Sequence, residues 1–353
     1  MPTFRIAVIA GDGIGPEVTE AAIEVVEAAV RGTDAAIEWN RLPWGSEYYK
    51  AQKQIMPDDG WEQLRKHDAI LMGALGSPDL PDTVTVGELL LPLRRNFDLY
   101  VNLRPAYLFD GVQSPLRDKE PKSIDMLVYR ENTEGEYSPV GGRVYKSTEN
   151  EVAIETAVYT ARGCERIMRA AFEGARHRPR KLVTSITKSN ALIYGMNLWD
   201  DVFQRVASDY PDIKSQSLLV DAAAMDLVRK PETFDVIVAG NLFGDILTDL
   251  SAMVTGSVGL ASSANINPTR TYPSMFEPVH GSAPDIAGQG IANPLAAVLT
   301  TCLMLEHLEQ REVAGKIKGA VAEVLKKGKA VTPDLGGRAT TKDVTEAVVK
   351  AVS

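Results

Sequence analysis

Short apolar segments rich in β-branched residues alternate with amphipathic helical patterns along almost the whole chain. Strand-like segments lie at residues 4–10, 69–75, 124–129, 181–187, 218–221 and 234–239. Helical patterns lie between them, for example at 161–176 and 198–208, and dominate the chain from residue 294 onward. Buried strands separated by helices are typical of parallel sheets, because a parallel crossover needs a helix-length connection. The alternation therefore predicts an α/β fold with a largely parallel sheet.

The chain is long enough for more than one domain. Its 353 residues suggest about two domains, yet no linker-like stretch and no internal repeat separates them. We therefore expect two domains that share one sheet or exchange segments.

One stretch interrupts the alternation. Residues 136–160 contain a Gly-Gly turn followed by alternating, β-rich sequence. This pattern is typical of an antiparallel arm, and such an arm on an α/β domain is often an oligomerisation device. An ordinary surface hairpin is the alternative interpretation.

Composition excludes several classes of function. Asp and Glu number 47 against 38 Lys and Arg, a net charge of -9, which argues against nucleic acid and anionic membranes as partners. No apolar run reaches the ~18 residues that a membrane span needs. The N-terminal sequence has no basic leader and no cleavage site, which predicts a mature cytoplasmic protein. Cys164 and Cys302 are isolated, so neither a disulfide framework nor a zinc site is expected.

A glycine-rich loop, residues 11–15 (GDGIG), follows the first strand and opens a helix. Its spacing is G-x-G-x-G, whereas the dinucleotide fingerprint is G-x-G-x-x-G, and no acidic residue ends a second strand about 20 positions later. A Rossmann site is therefore weakly indicated. The alternative is a tight turn that lets a ligand or another backbone segment come close.

Two aspartates four residues apart indicate a metal site. Asp245 and Asp249 stand in NLFGDILTDL and share one face if this segment is a helix. Carboxylate oxygens favour hard divalent cations such as Mg²⁺ or Mn²⁺. Asp221, which ends the strand-like segment 218–221, is a candidate third ligand. The alternative is a solvated acidic helix face.

The cationic candidates suit an acidic substrate. Arg94, Arg104 and Arg130 stand at borders of predicted elements, and arginine binds carboxylates in bidentate geometry. Lys188 follows a strand and becomes a candidate base if neighbouring cations lower its pKa. Taken singly, each of these residues is as well explained by a surface ion pair or a solvated strand end.

A long segment near the C-terminal third, residues 276–294, is rich in Gly, Pro and polar residues. Long ordered loops of this kind are usually functional, and glycines permit a ligand to approach the backbone. Within it, Asp285 is suited to accept hydrogen bonds from two ribose hydroxyls, and its charge would repel a 2′-phosphate.

Together these motifs resemble those of the β-decarboxylating dehydrogenases, which include isocitrate, 3-isopropylmalate, homoisocitrate and tartrate/D-malate dehydrogenases. The resemblance covers nearly the whole chain and rests on six motifs in family order: GDGIGPE, LRRNFDLYVNLRP, YRENTEGEY, TKSN, NLFGDILTDL and EPVHGSAPDIAGQGIANP. It implies an isopropylmalate dehydrogenase-like α/β fold, with two domains sharing a mixed, mostly parallel sheet, rather than a Rossmann fold. Residues 1–100 plus 255–353 would form the large domain and 101–254 the small domain.

The resemblance also implies roles for residues of this chain. Tyr137 and Lys188 would be catalytic, and Asp221, Asp245 and Asp249 would bind Mg²⁺ or Mn²⁺. Lys188 and Asp221 would act in the partner's site, so the enzyme would be a homodimer with shared active sites, clasped by the arm near 136–160. The substrate would be bound by Arg94, Arg104, Arg130, Leu90 and Leu91. NAD would be bound by Glu277, His280, Gly281, Ser282, Ala283, Pro284, Asp285, Ile286 and Asn293. The Asp285-Ile286 pair favours NAD over NADP.

The family resemblance leaves the substrate open. Leu90 and Leu91 match the apolar wall of isopropylmalate enzymes, but Leu89 replaces their glycine. No serine lies between positions 86 and 94, which disfavours isocitrate. Segments 43–49 and 56–64 resemble the tartrate/D-malate branch, which we favour over 3-isopropylmalate. A non-catalytic regulatory subunit is disfavoured because the Tyr, Lys and Asp set is complete.

Overall fold

The computed structural model describes residues 2–353, and its centre is one ten-stranded sheet. A separate two-stranded sheet accompanies it. The strands are β1 (Thr3–Ile9), β2 (Ala36–Arg41), β3 (Ala69–Met72), β4 (Val101–Tyr107), β5 (Asp125–Glu131), β6 (Gly141–Val144), β7 (Val152–Glu155), β8 (Leu182–Thr187), β9 (Lys214–Leu219), β10 (Val236–Ala239), β11 (Ser262–Ile266) and β12 (Ser274–Pro278).

The helices pack on both faces of the sheet. They are α1 (Gly15–Val30), α2 (Ser46–Gln52), α3 (Gly60–Leu64), α4 (Asp82–Thr85), α5 (Leu91–Asn96), α6 (Ala161–Arg176), α7 (Gly195–Ser208), α8 (Val220–Arg229), α9 (Asn241–Val254), α10 (Leu295–His307), α11 (Arg311–Lys327) and α12 (Thr341–Val352). A π-helix, Val86–Leu90, joins α4 to α5. None of the helices of residues 2–353 is long and apolar enough to cross a membrane.

The strand order of the sheet is β2-β1-β3-β12-β11-β4-β5-β10-β8-β9. Six neighbouring pairs are parallel, and the three pairs that involve β4 or β11 are antiparallel. This confirms the predicted mixed, mostly parallel sheet and differs from the all-parallel Rossmann order. Strands from residues 101–239 occupy one half of the sheet, as a shared sheet requires, while the division into two domains stays a prediction.

The segment 218–221 was expected to be a strand, and this prediction is confirmed only for Leu218 and Leu219. β9 ends at Leu219, and Asp221 lies in the first turn of α8. β9 is an edge strand whose residues are mostly exposed, so its sequence is polar and lacks the apolar run of a buried strand. The short apolar run instead spans the end of β9 and the start of α8, where an acidic residue interacts favourably with the helix dipole.

The predicted arm is present as an antiparallel hairpin. β6 and β7 pair with each other apart from the main sheet. Four apolar side chains of the hairpin are exposed in the single chain: Val144, Tyr145, Val152 and Ile154. A two-stranded hairpin with an exposed apolar face is marginally stable alone, so this face needs a covering surface.

Candidate active site

A cleft of about 760 Å³ opens beside the middle of the sheet. The π-helix and α5 form one wall, β4 and β5 the floor, and α9 and the segment after β12 complete it. Among the lining residues are Leu90, Leu91, Arg94, Arg95, Arg104, Arg130, Tyr137, Asp245, Glu277 and His280. The three arginines singled out from the sequence therefore converge on one cavity.

Each of these three guanidinium groups is buried and has an acidic neighbour. Arg94 Nη2 lies 2.7 Å from Glu277 Oε1. Arg104 Nη1 lies 3.4 Å from Asp245 Oδ1 and 3.7 Å from Asp249 Oδ1. The cleft thus combines concentrated positive charge with fixed carboxylates, a setting that suits an anionic ligand and a cation together.

Arg130 is held by residues of α9. Its Nε and Nη2 donate to Asn241 Oδ1 at 3.0 and 2.7 Å, and its Nη1 contacts Asp245 Oδ1. Gly244 allows the Arg130 side chain to pack against α9, because a Cβ at position 244 would lie 2.6 Å from Arg130 Cγ. Asn241 was not singled out from the sequence, although it opens the NLFGDILTDL motif.

Tyr137 shares the same carboxylate. Its hydroxyl donates to Asp245 Oδ2 at 2.8 Å, and Arg130 lies over its ring at 5.4 Å. Burial and the hydrogen bond to Asp245 raise the pKa of Tyr137, so the phenol keeps its proton at neutral pH. A protonated phenol at the edge of the cleft is a proton donor.

The two aspartates of α9 differ in electrostatics. Burial alone would raise the pKa of Asp245, but the charges of Arg130 and Arg104 outweigh it and hold this pKa below its usual range. For Asp249, burial raises the pKa against the attraction of Arg104. Asp245 is therefore a permanent carboxylate, and Asp249 stands on the same helix face, one turn further along.

Lys188 and Asp221 do not reach this cleft. They pair with each other instead, with Lys188 Nζ 2.5 Å from Asp221 Oδ1. Within residues 2–353, no group of three His, Cys, Asp or Glu side chains is arranged to hold a metal ion. One chain alone therefore does not assemble the three aspartates that the sequence proposed as ligands.

The glycine-rich turn 11–15 supports the segment after β12. Ile14 N donates to Ser282 O at 2.9 Å, and a Cβ on Gly13 would lie 2.0 Å from that same oxygen. Asp12 fixes the turn by accepting from Ser46 N, Ser46 Oγ and Gly76 N at 2.7 to 2.9 Å. The close-approach interpretation of this turn therefore fits the structure, with a backbone segment as the neighbour.

The residues assigned to cofactor binding fall into two places. Glu277 lies within the cleft and makes an ion pair with Arg94, whereas Asp285 is exposed in the loop that follows β12. His280 Nε2 is buried without a hydrogen-bond partner in the described chain, and burial lowers the pKa of this imidazole. Asn293 Nδ2 donates to Asp334 Oδ2 at 2.9 Å. Asp334 was not singled out from the sequence.

The chain is similar to enzymes along its whole length. A protein-family model described as isocitrate/isopropylmalate dehydrogenase matches residues 5–348. A probable tartrate dehydrogenase/decarboxylase of Agrobacterium vitis is 49% identical over 354 residues, covering 100% of this chain and 99% of the relative. D-malate dehydrogenase [decarboxylating] of Escherichia coli (strain K12) is 49% identical over 359 residues, with coverage of 100% and 99%. A 3-isopropylmalate dehydrogenase of Thermobifida fusca (strain YX) is also 49% identical, over 92% of this chain and 91% of the relative.

A solved structure shows the same fold. The isocitrate dehydrogenase from Methylococcus capsulatus superposes with a TM-score of 0.89 at 38% sequence identity, covering 99% of each chain. This agreement, the family match and the full-length relatives lead to one conclusion, which confirms the resemblance drawn from the six motifs. The chain belongs to the isocitrate/isopropylmalate dehydrogenase family.

Proposed function

We propose that this protein oxidises and β-decarboxylates a four-carbon 2-hydroxy dicarboxylate, D-malate or tartrate, with NAD and Mg²⁺ or Mn²⁺. The observation that carries the proposal is the cluster in which Arg130, Arg104 and Tyr137 all converge on Asp245. It places carboxylate-binding cations, an anionic oxygen ligand and a proton donor around one small cavity. The full-length tartrate and D-malate relatives support the substrate class.

The residues present fit a divalent cation. Asp245 and Asp249 supply two carboxylates from one helix face, and Mg²⁺ is commonly bound by one or two carboxylates together with substrate and water. A cation held there supplies Lewis-acid polarisation of the substrate oxygens. The Asp221 carboxylate of a second copy would complete the set, because the Asp221 of the same chain is paired with Lys188.

The loop after β12 fits an adenosine group. His280 presents a buried, unpartnered ring nitrogen, and Asp285 lies exposed where a ribose could reach it. NAD held there would supply the hydride acceptor for oxidation of the alcohol carbon. The preference for NAD over NADP rests on the Asp285 charge.

The chain's own residues perform the binding and proton transfers. Arg94, Arg104 and Arg130 hold the substrate carboxylates and orient the alcohol carbon. Lys188 of a second copy takes the hydroxyl proton as the hydride leaves. After loss of CO₂, Tyr137 donates its proton to carbon, and the arginines stabilise the negative charge that develops in between.

A homodimer follows from the same arrangement. The Lys188–Asp221 pair is outside the cleft of its own chain, so it is available to a neighbouring one. Exposed apolar side chains occur on α8 and α9, at Met225, Val228, Ile246 and Met253, in addition to those of the β6–β7 hairpin. Apolar patches of this kind mark protein interfaces. A second copy would cover them and bring the pair to the cleft.

Oxidation of 3-isopropylmalate is the second candidate. Leu90 and Leu91 both line the cleft and provide apolar surface for an isopropyl group. The full-length coverage of the tartrate and D-malate relatives favours the smaller substrates.

Measuring kcat/KM with NAD and Mn²⁺ over D-malate, L-tartrate, meso-tartrate, 3-isopropylmalate and isocitrate decides between the two candidate functions. We expect D-malate or a tartrate to rank first; first rank for 3-isopropylmalate or isocitrate would overturn the substrate assignment.

We expect kcat/KM for NAD to exceed that for NADP by at least about tenfold, or roughly 1.4 kcal/mol. The Asp285 carboxylate would repel a 2′-phosphate, and this repulsion is removed in Asp285→Asn. Steady-state kinetics with both cofactors test this. The variant should narrow the ratio, and equal kcat/KM values in the wild type would contradict the assignment of Asp285.

The turn at Gly13 should control cofactor affinity. Gly13→Ala introduces a Cβ that would lie 2.0 Å from Ser282 O, and it strains a backbone with φ +57°. We expect the Kd for NAD to rise about tenfold or more, because displacement of the loop adds to a strain of ~1–3 kcal/mol. Calorimetric titration of NAD measures this without turnover.

Gly32→Ala is the matched control. Gly32 has φ +78° and no atom within 4 Å of an added Cβ, so it carries the backbone strain without the contact to Ser282. It should lower the Tm while leaving the NAD affinity unchanged. Equal NAD affinity in both variants would show that the turn does not position the loop.

A further inference from the structure

Four arginines line the cleft, and Arg95 differs from the other three. Arg94 pairs with Glu277, and Arg104 and Arg130 pair with Asp245. Arg95 makes no ion pair with any residue of 2–353, and its one protein hydrogen bond is Nη1 to Tyr137 O at 3.5 Å. A guanidinium has five N–H donors, so most of the donor capacity of this cleft-lining residue has no protein partner.

The position of Arg95 is determined by α5. Arg95 follows Leu91 by four residues, which places the two on one helix face, and both line the cleft. Arg95 is half-buried, and burial lowers the pKa of the guanidinium with no acidic group opposing the shift. A partly desolvated cation without a counter-charge favours any anionic or strongly polar group brought within its reach.

The other acidic side chains of the cleft do not meet this need. Glu136 accepts a hydrogen bond from Tyr159 Oη at 2.7 Å, and Glu155 lies exposed on β7. Neither is within ion-pair distance of Arg95. No acidic side chain of the cleft is therefore paired with Arg95, and its guanidinium is available to a ligand.

We infer that Arg95 is a specificity-determining residue that donates to an oxygen substituent on C3 of the substrate, the carbon beside the alcohol carbon. The inference rests on the proposed function, in which Arg94, Arg104 and Arg130 take the two carboxylates. The substituent at C3 then meets the wall of Leu90, Leu91 and Arg95. The leucines would contact a hydrogen atom or an alkyl group at C3, whereas Arg95 would donate a hydrogen bond to a hydroxyl group there.

Two substrates form a matched pair for the test. L-tartrate differs from D-malate only by a hydroxyl group on C3 and has the same configuration at C2. Arg95→Met removes the charge and the donors while keeping much of the apolar stem. We expect affinity and kcat/KM for L-tartrate to fall about 10- to 100-fold, the range for a lost charge-assisted hydrogen bond. Values for D-malate should fall by a clearly smaller factor, because D-malate loses only the attraction of the charge and no hydrogen bond, so the ratio of L-tartrate to D-malate falls.

The outcomes separate specificity from a structural role. Arg95→Lys retains a charge on a shorter donor and should recover part of the loss for L-tartrate alone. If Arg95 only supported Tyr137 through its carbonyl, all substrates would lose activity in parallel and Arg95→Lys would not restore the ratio. A parallel loss, or no loss, overturns the inference.

Binding is measured by calorimetry with protein loaded with Mn²⁺ and without NAD, so that no hydride acceptor is present and the result does not depend on turnover. A wild type that binds L-tartrate through Arg95 but oxidises neither compound would contradict the proposed function and leave the inference standing. If the wild type oxidises D-malate but Arg95→Met has the same ratio of affinities for L-tartrate and D-malate as the wild type, the inference about Arg95 is wrong and the proposed function stands.

Discussion

Asp245→Asn should lower kcat/KM by on the order of 10³-fold and should also lower the Tm. This carboxylate contacts Arg130, Arg104 and Tyr137 at once. Removing its charge would weaken the proposed metal site and leave the buried Arg130 without its carboxylate. Loss of a single preorganised electrostatic group in an active site costs about 10²- to 10³-fold, and weaker metal binding adds to that.

Steady-state kinetics over a Mn²⁺ titration, together with thermal unfolding, test this expectation. Asp110→Asn is the control, because Asp110 makes an ion pair with Lys122 outside the cleft. The control should retain wild-type kinetics. Unchanged turnover of the wild type in excess EDTA, or near-normal activity of Asp245→Asn, would contradict the metal assignment.

Lys188→Ala should lower kcat by about 10²- to 10⁴-fold, the usual contribution of a general base. The variant keeps the Asp221 carboxylate and removes only its lysine partner. The affinity for Mn²⁺ is therefore expected to change less than kcat does. Activity at varied pH with D-malate measures the effect. Lys188→Arg keeps the charge but is a poor base, and it should remain as inactive as the alanine variant. Recovery in Lys188→Arg would indicate a purely electrostatic role.

Local pattern was sufficient to predict the fold class. The alternation of apolar runs with helical patterns predicted the mostly parallel sheet, and the segment 161–176 coincides with α6. The error at 218–221 arose because β9 lies at an edge of the sheet and carries polar residues. An apolar run of four residues does not distinguish the end of a strand from the first turn of a helix.

The contacts of the cleft were beyond sequence reasoning. Arg94 and Glu277 are 183 positions apart, and Arg130 and Asp245 are 115 apart. Spacing along the chain does not reveal such pairs, because strand order decides which residues meet. Arg95 was overlooked beside Arg94, although its distance of four residues from Leu91 was a signal that both face one cavity. Asp12 was noted only as part of a glycine motif, and its three accepted hydrogen bonds depend on remote loops.

We propose that two chains build each active site. Lys188→Ala and Tyr137→Phe are both expected to be inactive alone, and they lie on different sides of the proposed shared site. In a mixed dimer, one site carries both lesions and the other carries neither. Random pairing makes about half of the dimers mixed, so about a quarter of all sites are intact.

Mixing the two variants, with subunit exchange verified by native mass spectrometry after mild denaturation and refolding, measures this directly. We expect recovery of about a quarter of wild-type activity if the two sites of the dimer act independently. Each variant refolded alone should stay inactive. If exchange is complete and the mixture stays as inactive as the separate variants, each site is built within one chain, and the assignment of Lys188 and Asp221 to a neighbouring site is wrong.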